Sequence, residues 1–196
     1  MASLKGYIPT LARYLGISPA IIYERQRVLV REGVLEQRPG HGPGSGVEAT
    51  PSSVALLLIG VLGSENIADC ATRVRGIASA VPTLLDVPNR RRKKMLANRQ
   101  TFGETLAAIL AGEHDIYPAS CMLALTISRT SYSALFTCNL SIDASTIFFE
   151  QTVPDPPIAI EAKILGPTLS QIANDVQGMV QSARALNKDK AKGDAQ

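Results

Sequence analysis

Residues 10–33, TLARYLGISPAIIYERQRVLVREG, limit the fold more than any other part of the chain. Apolar side chains within 11–15 lie on one side of a first helix, and Gly16 then accepts the positive φ that a helix-ending turn requires. Ser18 is a good N-cap because its hydroxyl can accept from an unpaired backbone N–H. Pro19 suits the first helical position, where no amide donor is missed. The pattern predicts two helices joined by a tight turn.

Four positions in this stretch carry the residue types of a helix-turn-helix. Ala12 is small enough for a close approach of the two helices, and Gly16 allows the sharp turn. Ile17 and Ile22 supply two core residues. Because this arrangement lets the second helix project into the DNA major groove, the spacing predicts a DNA-binding element.

The segment after the second helix is a predicted hairpin. Residues 34–37 and 46–49 are short extended segments around a tip rich in Gly and Pro. The tip lacks the Lys and Ser/Thr that enter a helix in a phosphate-binding loop, so a flexible wing fits it better. The order REGVLEQR, HGPGSG, VEAT resembles the winged helix-turn-helix family of bacterial transcription regulators, and the resemblance covers about the first 50 residues.

The resemblance implies that helix 18–32 is the recognition helix, with DNA contacts on its exposed side and on the wing. The implied contact residues are Ser18, Pro19, Ala20, Tyr23, Glu24, Arg27, Arg38 and His41. Arg27 suits guanine O6 and N7 or a phosphate, while Glu24 suits cytosine N4 or orients Arg27 three residues on. Tyr23 suits stacking on a sugar or donation to a phosphate.

Two features depart from the family. Residues 1–9 are too few for a full helix ahead of the motif and contain Pro9, so the apolar helix 53–62 is expected to cover the helix pair. Arg25 and Gln26 stand where the family usually keeps another apolar core residue. Either the recognition helix is rotated, or Arg25 packs its stem and keeps its head in water.

The composition permits a polyanionic partner without requiring one, since the formal charge is +3 and the pI is near 8.8. Three widely separated cysteines, Cys70, Cys121 and Cys138, lack the spacing of a metal or redox motif and are expected to be reduced and buried. No apolar run approaches the roughly 20 residues that cross a bilayer, and the N-terminus lacks a signal-peptide run. We therefore expect a cytoplasmic protein that does not bind a membrane.

The chain divides into a winged helix-turn-helix domain at 1–50, a helical connector at 51–86, a basic loop at 87–100, an α+β domain for dimerisation or ligand sensing at 101–186, and a disordered tail at 187–196. In the connector, Thr50 and Ser64 are the expected caps of two helices. The basic loop holds five consecutive cationic residues, Arg90, Arg91, Arg92, Lys93 and Lys94. This run is a solvated loop, a DNA phosphate contact without sequence information, or a contact to a membrane or protein partner.

The α+β domain combines a predicted sheet with a long final helix. A small, mainly antiparallel sheet is predicted from four short segments that are rich in branched and apolar residues. They lie at 121–128, 133–138, 146–150 and 158–164. The helix follows Gly166 and runs to about residue 186. Its heptad seam consists of Leu165, Leu169, Ile172, Val176, Met179, Ala183 and Leu186. The seam packs either on the sheet of its own chain or against a second copy.

No motif of a known catalytic class is found in the sequence. His114 stands at an expected helix-to-strand turn, and no nucleophile elbow, Walker sequence or paired-cysteine motif is present. We expect no enzyme, no metal and no cofactor. The prediction is a homodimeric transcriptional regulator that binds double-stranded DNA, with room in the C-terminal sheet for a small-molecule effector. The alternatives are a replication or partition adaptor of a mobile element and a winged-helix protein-interaction module that does not bind DNA.

Overall fold

The computed structural model describes residues 2–38, 46–86, 100–112, 122–139, 144–150 and 161–193. These ranges form the helices α1 (Leu4–Leu15), α2 (Pro19–Arg31), α3 (Pro51–Gly63), α4 (Cys70–Ala78), α5 (Phe102–Ala111) and α6 (Gly166–Gly193), and the strands β1 (Val81–Asp86), β2 (Met122–Ser128), β3 (Ser133–Asn139), β4 (Ala144–Glu150) and β5 (Glu161–Ile164). The predicted α+β class is confirmed, and so are its antiparallel sheet and long C-terminal helix.

The sheet has the strand order β1-β4-β3-β2-β5, and every pair of neighbours is antiparallel. The predicted strands appear as β2 to β5, although residues 158–160 lie outside the described ranges. In β5, Ile164 is buried while Glu161 and Lys163 are exposed, as the alternation predicts.

Strand β1 corrects the prediction that the connector is helical to residue 86. Five of its six residues pair with β4, and the strand forms one edge of the sheet. The register is irregular between Pro82 and Leu84. Proline cannot donate to a ladder, so an edge position with an irregular register is where a strand tolerates it.

Helix α3 lies at the centre of the structure. Thr50 and Ser53 form a capping box at its start, in which the Ser53 amide donates to the Thr50 hydroxyl at 3.1 Å. Side chains on almost every side of the helix are buried, and α3 contacts α2, α4, α5, α6, β2 and β5. The prediction that this apolar helix covers the N-terminal helix pair is confirmed for α2, whereas the main contacts of α1 are with α2 and α6.

Two predicted helix starts are wrong. α1 begins at Leu4 despite Pro9, because Ser3 caps it and its side chains Leu4, Tyr7 and Ile8 are buried in the core. α4 begins at Cys70. The expected cap, Ser64, instead donates its hydroxyl to the Gly60 carbonyl of α3 at 2.6 Å.

The predicted disordered tail is also wrong in part, because α6 continues through residues 187–193. Three of these seven residues are lysines, which favour helices and suit the negative end of the helix dipole. Residues 194–196 lie outside the described ranges.

The seam of α6 divides into two halves. Leu169, Ile172 and Val176 are buried against the core of their own chain, whereas Leu165 is 62% exposed and precedes the helix. Met179 is partly buried against the core, and Ala183 is half-buried. The first half of the seam therefore packs within its own chain, which is one of the two predicted alternatives.

Candidate nucleic-acid interface

The turn between α1 and α2 has the geometry that the sequence predicts. Gly16 has φ 66° and its amide donates to the Ala12 carbonyl, which also accepts from Ile17 at 3.1 Å. Ser18 caps α2 by accepting from the Ala20 amide at 3.3 Å. A residue with a Cβ would be strained at φ 66°, so the glycine fixes where α1 ends and how α2 departs.

The inner face of α2 includes Arg25, which is only 8% exposed. Its guanidinium donates to the backbone carbonyls of Gly60 at 3.2 Å, Ser64 at 3.0 Å, Glu65 at 3.3 Å and Ile21 at 3.4 Å. The alternative that its head lies in water is therefore wrong. The carbonyl end of α3 carries partial negative charge and unpaired acceptors, which explains why an arginine without a carboxylate partner in the described residues is stable there.

Two more arginines bind the same end of α3. Arg73 of α4 donates from Nε to the Gly63 carbonyl at 2.9 Å and from Nη2 to the Ser128 carbonyl at 2.7 Å. Arg129, in the turn after β2, donates from Nε to the Leu62 carbonyl at 2.9 Å. We call Arg25, Arg73 and Arg129 the arginine clamp. It satisfies carbonyls that a helix end leaves unpaired, and it joins α2, α4 and the sheet to α3.

The outer face of α2 carries most of the predicted DNA contacts. Ser18, Pro19, Ala20 and Arg27 are exposed, while Tyr23 and Glu24 are half-buried. Arg27 forms an ion pair with Glu24 at 3.1 Å, so Glu24 orients Arg27 as the sequence predicts. Both side chains are largely exposed, and such pairs are weak enough for Arg27 to exchange Glu24 for another acceptor.

Sequence reasoning missed two cations and misplaced one apolar residue. Arg31 is exposed one helical turn beyond Arg27, a spacing that the sequence already contained. Lys5 places its Nζ 5.3 Å from the ring centroid of Tyr23, and it was missed because α1 was expected to start later. Ile21, which the helical spacing of 18–32 predicts to lie beside the core residue Ile22, is 45% exposed.

The hairpin base lies beside the start of α1. Arg38 and Gly46 exchange two backbone hydrogen bonds, at 3.1 and 3.3 Å, and the amide of Leu4 donates to the Val47 carbonyl at 2.8 Å. Arg38 forms an ion pair with Glu48. The wing tip with its predicted contact His41 lies outside the described residues, as do the five cations Arg90, Arg91, Arg92, Lys93 and Lys94. Their DNA contacts stay predictions.

A groove of about 560 Å³ separates α2 from the start of α1 and the hairpin base, and we call it the α2 groove. It is lined by the three cations Lys5, Arg27 and Arg31 and by one acidic residue, Glu24, so its charged lining is cationic on balance. Gln26 also lines it and is 6% exposed, and its Oε1 has no hydrogen-bond partner in the described part of the chain. The groove thus combines positive charge with a concave shape that suits an extended anionic chain.

Burial shifts the pKa of three groups outside this face. It raises the pKa of the Tyr7 hydroxyl and of the Cys70 thiol, and it lowers the pKa of the Arg73 guanidinium. Among the described residues, no three side chains of His, Cys, Asp or Glu lie close enough together to hold a metal ion.

The helices of the described ranges include none with an apolar stretch long enough to cross a membrane.

No protein-family model matches this chain, and no curated protein or solved structure matches it. The assignment of a function therefore depends on the residues themselves.

Proposed function

We propose that this chain is a sequence-specific DNA-binding transcriptional regulator, a winged helix-turn-helix protein whose α2 enters the major groove. The observation that carries the proposal is the outer face of α2, where Ala20, Glu24, Arg27 and Arg31 share one accessible side. Short side chains near the start of the helix permit a close approach to base edges, and the two arginines beyond them suit guanine or phosphate. Arg25 holds the opposite face against the end of α3, so the side with Arg27 and Arg31 is turned to solvent.

The α2 groove supports the same function. A DNA strand that passes along α2 brings phosphates between Lys5 and Arg31, and Arg38 is the backbone partner of Gly46, which lines the groove. Phosphate contacts fix the register of a protein on DNA, whereas base contacts give it sequence preference. Lys5, Arg31 and Arg38 take the first role in this proposal, and Arg27 takes the second.

The proposed regulator is a cytoplasmic homodimer. The second half of α6 continues the heptad seam beyond the part buried in its own chain, with Met179 and Ala183 still half-buried. A groove of about 630 Å³ runs between α1 and the second half of α6. The small residues Gly178 and Ser182 leave room for another helix to approach α6 closely. The proposed occupant of this groove is a second α6, and a two-fold dimer that binds two half-sites requires recognition helices about 34 Å apart, one turn of DNA.

The experiment that tests DNA binding is the genome-wide recovery of fragments bound by the full chain, followed by gel shifts at increasing salt. We expect a shared operator sequence whose footprint overlaps promoters. Footprints confined to an origin or a partition site identify a replication or partition adaptor instead. If no genomic fragment is retarded even at low salt, DNA binding is refuted and the protein-interaction module takes its place.

The role of α2 is tested with Arg27→Ala on the recovered operator and on random DNA. We expect a loss of about 1–3 kcal/mol on the operator and a much smaller loss on random DNA, because a base contact is sequence-dependent. The matched control is Arg184→Ala, which removes an exposed arginine from α6. Equal losses on the two DNAs make Arg27 a phosphate contact and contradict its proposed role.

A further inference from the structure

A second cleft lies on the other side of α2, where the helix pair meets the sheet. Its volume is about 570 Å³, and we call it the turn cleft. One wall is the turn and first part of α2, with Ile17 and Ile21. The facing wall is the end of β5 and the start of α6, with Ile164 and Leu165. The cleft has the size of sites that hold drug-sized ligands, so a small molecule can occupy it.

Two of the four large apolar side chains that are exposed in the described ranges line the turn cleft. Ile21 is 45% exposed and Leu165 is 62% exposed. The two lie on opposite walls of one concave site. A ligand with an apolar body removes both side chains from water at once, which favours its binding.

The charge in the turn cleft has one sign. Among its thirteen described lining residues, three are cationic and none is acidic. Arg25 is already bound to backbone carbonyls, whereas Lys163 is exposed. Arg129 uses its Nε for the Leu62 carbonyl and places Nη1 only loosely near Glu65, at 3.9 Å. Lys163 and Arg129 therefore supply positive charge that an anionic group of a ligand can pair with.

We propose that the turn cleft binds a small organic acid, an apolar carboxylate whose charge lies at Lys163 and Arg129 and whose body lies between Ile21 and Leu165. Neutral apolar molecules lack the ionic contact, and polyanions such as nucleotides fail to use the apolar walls. A free fatty acid and an aromatic acid share the chemistry that the cleft recognises. The assay below compares them.

The position of the cleft gives this ligand a role in regulation, and this part rests on the proposed function. Ile17 and Ile21 belong to the turn and first helical turn that set the direction of α2, while Ile164 and Leu165 belong to the C-terminal module. A ligand between the walls contacts both. Its binding free energy therefore depends on the relative position of the two walls. Because DNA binding also depends on the direction of α2, ligand and DNA change each other's affinity by the same factor.

The binding test uses the full chain without DNA. The probe is 1-anilinonaphthalene-8-sulfonate, an apolar anion that becomes fluorescent in an apolar site, and it is displaced by decanoate or by 3-phenylpropionate. The matched neutral competitors are decanol and 3-phenylpropanol. We expect each acid to compete at least about tenfold better than its alcohol, the equivalent of 1.4 kcal/mol for the ionic contact. The two acids together tell a long-chain occupant from an aromatic one.

Two variants locate the site. Lys163→Glu reverses the charge at the cleft, and Leu165→Ser removes one apolar wall. We expect each to raise the dissociation constant of the acid by about five- to tenfold, since each removes an ionic contact or most of a leucine's apolar burial. The matched controls are Arg184→Glu on α6 and Ile67→Ser, which replaces an isoleucine 43% exposed elsewhere on the chain. They are expected to change the constant less than twofold.

The outcomes separate the two proposals. Displacement by neither acid, equal affinity for acid and alcohol, or equal losses in the cleft variants and their controls overturns the site. Binding of the acid with no retarded DNA keeps the site and refutes the proposed function. DNA binding without acid binding keeps the proposed function and overturns the site. If both ligands bind but neither alters the affinity of the other, the site stands and its regulatory role is overturned.

Discussion

Replacing Arg25 by Met tests whether the arginine clamp holds α2 in place. Arg25→Met keeps a long apolar stem in the core and removes the guanidinium that joins α2 to the end of α3. The Gly60 carbonyl keeps a partner, because the Ser64 hydroxyl also donates to it at 2.6 Å. The Ser64 carbonyl belongs to a residue that is only 1% exposed, and it loses the 3.0 Å bond from Arg25.

The expected destabilisation follows from these contacts. A buried carbonyl left without a donor costs about 1–3 kcal/mol. The loss of a cation at the negative end of α3 adds up to about 2 kcal/mol in a buried setting. Removing a buried charge relieves part of its own desolvation, which opposes both terms. We therefore expect the free energy of unfolding to fall by about 2–3 kcal/mol.

The assay is urea unfolding of the full chain, followed by circular dichroism, with Arg27→Met as the matched control on the same helix. Arg27 is 64% exposed and forms an exposed ion pair with Glu24, so its replacement is expected to change the unfolding free energy by about 0.5 kcal/mol or less. Arg25→Lys is expected to recover less than half of the loss, because one ammonium cannot reproduce the fork of a guanidinium. If Arg25→Met and Arg27→Met unfold at the same urea concentration, the clamp does not stabilise α2 and the reasoning is refuted.

Three further predictions concern the core, the turn and the dimer. Burial, and secondly the charge of Asp175, raises the pKa of the Tyr7 hydroxyl above the unfolded value of about 10. The free energy by which this shift stabilises the folded state is therefore fully present below pH 10 and is lost as the pH rises above it. Tyr7→Phe should flatten that fall and, because the hydroxyl is buried without a partner in the described residues, leave urea stability at pH 7 unchanged or about 1 kcal/mol higher; a clear loss at pH 7 contradicts this. Gly16→Ala should lower the unfolding free energy by about 1 kcal/mol because of its positive φ, whereas Gly6→Ala in α1, whose added Cβ meets the Ser3 hydroxyl at an ordinary 3.7 Å, should raise it by about 0.5–1 kcal/mol; equal signs in urea unfolding refute the argument. Ala183→Glu should give a monomer in sedimentation velocity, with Arg184→Glu still dimeric, and a dimer in both variants excludes the proposed α6 interface.

The parts of the fold that the sequence predicts correctly depend on neighbours along the chain. The end of α1 at Gly16 and the start of α2 at Ser18 each need only a residue type and the next few amides. The buried character of α3 follows from its composition alone. Local signals of this kind are sufficient because the contacts they describe span fewer than about five residues.

The parts that the sequence could not predict depend on contacts between distant residues. In the sequence alone, Arg25 departs from the helix-turn-helix pattern, because the carbonyls of α3 and the following turn that accept from its guanidinium lie about 35–40 residues further along the chain. β1 reads as part of a helical connector because its partner β4 is more than 50 residues away. Lys5 joins the outer face of α2 only because α1 begins ahead of Pro9, where burial of Leu4 and Tyr7 outweighs the low helical preference of proline.

The end of α3 explains how the two halves of the chain are joined. Arg25 brings α2 to the carbonyls of Gly60 and Ser64, while Arg129 brings the turn after β2 to that of Leu62. Arg25 and Arg129 also both line the turn cleft. A change in the cleft therefore acts on the same carbonyl end that fixes α2. The rigid element between the proposed ligand and the proposed DNA contacts is one helix terminus, so coupling between them needs no longer path through the core.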